Sequence, residues 1–71
     1  MKIGVLGRII GGKTDNWYIT VTDDYVNTGG YLVLYSPNED FSGEGYDNWF
    51  ESLNEIEQHF RYNNYTIKWH I

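Results

Sequence analysis

The chain has 71 residues and no cysteine, and its 10 Asp and Glu outweigh 5 Lys and Arg, for a net charge of -5. That length makes one domain (1–71) near the lower limit for unaided folding, and without cysteine neither disulfides nor thiolate zinc sites can staple it. The acidic balance excludes nucleic acid as a direct partner, because phosphate binding needs a basic surface; 3 Trp, 7 Tyr and 3 Phe must supply the stability that staples give other small folds.

Ile3 to Ile10 is rich in Ile, Val and Leu and reads as a first strand, weakened by Gly4 and Gly7. Its end merges into Gly7-Arg8-Ile9-Ile10-Gly11-Gly12-Lys13-Thr14, which satisfies the phosphate-loop pattern G-x-x-x-x-G-K-[ST]. A phosphate loop must open a helix, whose N-terminus supplies much of the field. Here Asp15-Asn16 and then β-branched and aromatic residues follow, so the expectation is a hairpin turn with a solvated Lys13. Trp17 to Thr22 alternates at period two and predicts a second strand. Asp23 to Gly30 is a connection, Tyr31 to Tyr35 a third strand, and Pro37 closes it.

Asp40 to Glu51 imitates a twelve-residue calcium loop, with oxygen ligands at Asp40, Ser42, Glu44, Asn48 and Glu51 and Gly45 at the sharp turn. No helix enters it, and Asp47 stands where an apolar residue belongs. The competing reading is an acidic loop leading to a capped helix, where carboxylates favour the positive N-terminal end. From Asp47 to about Tyr62 the apolar spacing of Trp49, Phe50, Leu53, Ile56 and Phe60 is helical. Two capping boxes compete for its start, Asn48 with Glu51 and Ser52 with Glu55. Asn63-Asn64 ends the helix, and Tyr65 to Ile71 alternates again as a last strand.

The order is βββαβ, an α+β sandwich of a mostly antiparallel four-stranded sheet with one helix on one face. The last strand is expected beside the first, parallel through a right-handed crossover. The helix face should hold Ile3, Val5, Trp17, Ile19, Val21, Leu32, Leu34, Ile67, Trp69 and Ile71. The other face would carry Arg8, Tyr18, Thr20, Tyr31, Val33, Tyr35, Lys68 and His70, with nothing in the chain to cover it.

No catalytic constellation emerges. His59 follows Glu55 at a surface helical spacing, Asp23-Asp24 suits a turn, and no cofactor or metal is called for; the reading is not an enzyme. The longest apolar run, Tyr31 to Tyr35, is too short to cross a membrane. The N-terminus is interrupted too soon for a signal peptide, which points to the cytoplasm. Exposed Tyr and Trp beside carboxylates suit a protein partner, one with a basic surface. The expected contact residues are Asp23, Asp24, Glu39, Asp40, Glu44 and Asp47, with Tyr18, Tyr31 and Tyr35 as anchors. A Tyr-lined face could instead join two copies as a homodimer.

Trp17-Tyr18-Ile19, Gly29-Gly30-Tyr31-Leu32, Tyr46-Asp47-Asn48-Trp49 and Ile67-Lys68-Trp69 together give the chain a character that resembles small acidic bacterial immunity proteins. The resemblance spans most of the chain and carries no diagnostic motif. It implies a cytoplasmic inhibitor that neutralises a cognate toxin by covering its active site or a nearby surface. If that toxin is a nuclease, its basic cleft would meet carboxylates that imitate phosphates.

Overall fold

The computed structural model describes residues 1–70; Ile71, expected on the helix face, lies outside the described residues. Strands form at β1 (Gly7–Ile10), β2 (Tyr18–Asp24), β3 (Gly30–Ser36), β4 (Tyr46–Phe50) and β5 (Thr66–Trp69). A single helical turn, α1 (Tyr25–Thr28), links β2 to β3, and the main helix α2 (Leu53–Tyr62) links β4 to β5. The fold is α+β, with a five-stranded antiparallel sheet in the order β4-β3-β2-β1-β5.

Three expectations change at this level. The first strand is shorter, because Gly4 takes a left-handed φ of 73° that no continuing strand accepts. Residues Met1 to Leu6 instead follow β2 loosely, with the Gly4 amide donating to the Val21 carbonyl at 2.7 Å. Second, the first turn of the expected helix is the strand β4. Trp49 and Phe50 fit either period, and pairing with β3 decides between them. The Ser52 box is therefore the true start of α2, with the Glu55 amide donating to Ser52 Oγ at 3.2 Å. Third, the added strand reverses the chain once more. β5 lies beside β1 as expected, but antiparallel to it.

Cross-strand register fixes the faces. Ile19 stands opposite Gly7 and Tyr35, and Val21 opposite Val33. Ile9, Ile19, Val21, Val33 and Tyr35 are buried together with Ile56 and Phe60 of α2, and this is the core. Each such side chain contributes about 1.5–3 kcal/mol by leaving water. Trp17, Tyr31, Phe50, Leu53, Tyr65, Ile67 and Trp69 pack around it half-buried. The phase of β3 is thus the reverse of the expected one. Tyr31, Val33 and Tyr35 face the helix, and Leu32 and Leu34 face away. All five are apolar enough for either side, so the pattern carried no phase.

The face away from α2 is also not bare. Half-buried Phe41 borders the same hollow as Leu34 and Asp47 of that face. Leu6 borders another with Asn38 and Asp40. The loop between β3 and β4 therefore folds back over part of the sheet. Its neck is held by Ser36, buried, whose Oγ donates to the Glu44 carbonyl at 2.9 Å and accepts from the Asn38 amide at 3.0 Å. Among the described residues, no helix is long and apolar enough to cross a membrane.

Candidate recognition surface

The strongest exposed apolar feature is built at the corner where β2 turns into β3. Tyr25, Val26 and Trp49 are 64%, 97% and 48% exposed. A chain usually hides such side chains, so what holds them out is informative. Asp23 Oδ1 accepts from the Tyr25 amide at 3.0 Å, and Asp24 Oδ1 accepts from Asn27 Nδ2 at 3.1 Å. Thr28 Oγ1 donates to the Asp24 carbonyl at 3.0 Å and accepts from Trp49 Nε1 at 2.9 Å. Gly29, at φ 78°, ends the turn by returning its amide to the Tyr25 carbonyl at 2.8 Å.

Trp49 is fixed from below as well. Its indole covers Gly30, where an added Cβ would lie only 2.5 Å from the ring. The large side chain on β4 thus uses the space that a glycine on β3 leaves. The corner thus presents Tyr25 and Val26 on a braced turn and a Trp49 indole held in place, beside Asp23 and Asp24. Glu51 follows β4 at the same end of the sheet, since Phe50 pairs with Tyr31 and Asp24 with Gly30.

Register separates the residues expected to act together. Asp23 and Asp24 sit at the Gly30 end of β2. Glu39, Asp40 and Glu44 belong to the loop that leaves the opposite end of β3, where Ser36 pairs with Tyr18. Asp47 lies between, on the face away from α2 and opposite Leu34. The Asp40 carboxylate is held below its ordinary range by the Ser42 hydroxyl and amide, which donate to Oδ1 at 2.7 and 3.0 Å.

The expected tyrosine anchors fare differently. Tyr18 is half-buried on the outer face under the Arg8 guanidinium, 5.5 Å from its ring centre. Tyr31 is half-buried against the core. Tyr35 is only 1% exposed and stacks on Tyr46 with ring centres 4.5 Å apart. Tyr35 is therefore a core residue, and the tyrosine-lined docking face on β3 does not form. Burial, then the neighbouring Tyr65 phenol, pushes the Tyr35 hydroxyl far above its ordinary pKa and raises that of Tyr46.

The motif-like stretches resolve into ordinary structure. Gly7 to Thr14 is a strand and hairpin turn followed by β2, and the Gly11 amide donates to the Asp15 carboxylate within the turn. In the calcium-like stretch, β4 places Asp40 and Glu51 beyond opposite ends of one strand. Among the described residues no group of three His, Asp or Glu stands together to hold a metal. His59 is not a surface partner of Glu55. Its ring is half-buried against Phe50 and Tyr65, at 5.1 and 6.1 Å between centres, and burial lowers its pKa.

Sequence reading alone does not single out Tyr25, Val26 or Trp49, but one signal in the chain points to their neighbourhood. All ten carboxylates fall between Asp15 and Glu57, and all five cations (Lys2, Arg8, Lys13, Arg61, Lys68) fall outside that span. The sheet order converts this into a spatial division. Arg8 and Lys68 stand directly opposite each other on β1 and β5, while the charged residues of β2 and β4 are all acids and β3 carries no charge. The corner belongs to the acidic half. No protein-family model, curated protein or solved structure matches the chain.

Proposed function

We propose that the chain is a small cytoplasmic inhibitor that binds a basic protein surface, acting as an immunity protein that neutralises a cognate toxin. The observation that carries this reading is the Tyr25–Val26–Trp49 corner, exposed on a braced turn with its indole held by Thr28, within a stretch of chain, residues 14–60, that has carboxylates and no Lys or Arg. Aromatic side chains already fixed in place lose little freedom on binding, so more of their buried area becomes affinity. Asp23, Asp24 and Glu51 around them would speed encounter with a basic partner and reject acidic ones. A nuclease is the fitting toxin class, since its cleft must attract phosphates.

If a secreted-toxin gene lies adjacent to this one, its product is the test partner. Its activity should fall stoichiometrically as the chain is added. Trp49→Ala and Tyr25→Ala should each weaken inhibition at least about thirtyfold, the size of an interface hot spot. Full toxin activity in the presence of excess chain contradicts the proposal.

A further inference from the structure

We infer that β4 is a docking edge on which a basic, extended segment of the partner protein adds as a sixth strand. This rests on the reading above and supplies its mode of recognition. β4 is outermost in the sheet, and β3 is its only backbone partner among the described residues. The amides and carbonyls on its far side are therefore free to pair. Proteins commonly protect such an edge with lysine, proline or a bulge. The opposite edge, β5, carries Lys68, whereas Tyr46-Asp47-Asn48-Trp49-Phe50 carries neither lysine nor proline.

Charge selects the occupant. Glu44, Asp47 and Glu51 lie along or just beyond the strand, and residues 14–60 contain no Lys or Arg. Lys13 borders a hollow with Tyr46 at the strand's start, so the acidic part of the edge runs from Asp47 to Glu51. A second copy, itself at net charge -5, would bring repulsion to this edge, and a basic segment would relieve it. The pleat then dictates the partner's pattern. Asp47 and Trp49 project from the outer face, so incoming residues on that side would be Lys or Arg, paired with the carboxylate or laid over the indole. Tyr46, Asn48 and Phe50 project from the helix face, where apolar residues fit. The segment would alternate basic and apolar residues, and Trp49 joins this edge to the Tyr25 corner.

The test is a titration of the isotopically labelled chain with a peptide of about seven residues that alternates lysine with valine or threonine, followed by amide shifts and hydrogen exchange. Saturable shifts and slowed exchange at residues 46–50 are expected. Methylating the peptide's backbone nitrogens at alternate residues, in both frames, should abolish binding in one frame. Asp47→Asn should weaken it about twofold to fivefold, the size of an exposed charge pair. Equal binding by both methylated peptides would overturn strand pairing, as would the absence of any saturable shift. Shifts confined to Tyr25 and Val26 would overturn it while leaving the corner intact as a binding surface. Protection of β4 that rises with concentration of the chain alone would make a second copy the occupant and overturn it too. Toxin inhibition judges the broader function separately.

Discussion

Replacing Gly30 with alanine should destabilise the fold. Where a strand has room, this exchange stabilises by about 0.4–1 kcal/mol, because it stiffens the unfolded chain, and Gly30 is not in a left-handed conformation that would forbid it. Space decides the sign here. A Cβ on Gly30 would stand 2.5 and 2.6 Å from two indole carbons of Trp49 and would also collide with the Phe50 carbonyl oxygen. The ring can retreat only by breaking its 2.9 Å bond to Thr28; the carbonyl can retreat only if β4 moves. Overpacking of this kind costs about 1–3 kcal/mol and a lost hydrogen bond about 1 kcal/mol more. The net loss is therefore about 1–3 kcal/mol after the entropic gain. In a domain of this size each kcal/mol lowers Tm by about 4–8 °C, which thermal and urea unfolding resolve. In a Trp49→Ala background the cost of Gly30→Ala should shrink without vanishing, since the backbone clash remains. An unchanged or raised midpoint for Gly30→Ala would refute the packing described for this corner.

Trp49→Phe removes the indole–hydroxyl bond and should cost about 0.5–1.5 kcal/mol. Thr28→Val removes that bond and the one to the Asp24 carbonyl, so it should cost more, and the double variant little more than Thr28→Val alone. Lys68→Glu replaces a like-charge pair opposite Arg8 and should raise stability by about 0.2–1 kcal/mol at low salt, with the gain shrinking in high salt. Burial holds the His59 imidazole below its ordinary 6.5. The unfolded chain therefore takes the proton first, and stability should fall as pH drops from that ordinary value to the lower folded one, with no further slope from this group below it. Urea midpoints across that window should show the slope in the native chain and a flatter one in His59→Gln. Ser42→Ala should let the Asp40 carboxyl titrate closer to its ordinary range, which carboxyl NMR would follow.

Where one local pattern had one meaning, the fold was legible. Trp17 to Thr22 alternates cleanly and lies largely within β2, and Ser52 with Glu55 marks the start of α2. The rest turned on tertiary partners. Trp49 and Phe50 suit a helix stripe or a strand equally, and only pairing with β3 made them a strand. That one element reversed the direction of β5. Tyr31 to Tyr35 is apolar on both faces, so its phase, and with it the fate of Tyr31 and Tyr35, was set by the core it joined. Asp23 and Asp24 were recognisable as turn acids, and the structure leaves Asp23 exposed and Asp24 half-buried. Their neighbours Tyr25, Val26 and Trp49 come from two separate stretches of chain, and only the register of β3 and β4 brings them together.

The most direct measurement is the rate at which the chain associates with the proposed basic toxin partner, from about 10 mM to about 1 M salt, where the screening length shrinks from about 30 to about 3 Å. The rate should fall steeply with salt, less so for the double variant Asp23→Asn, Asp24→Asn, while Trp49→Ala speeds dissociation and leaves association nearly unchanged. An association rate indifferent to salt in every variant would contradict the claim that this acidic corner captures a basic partner.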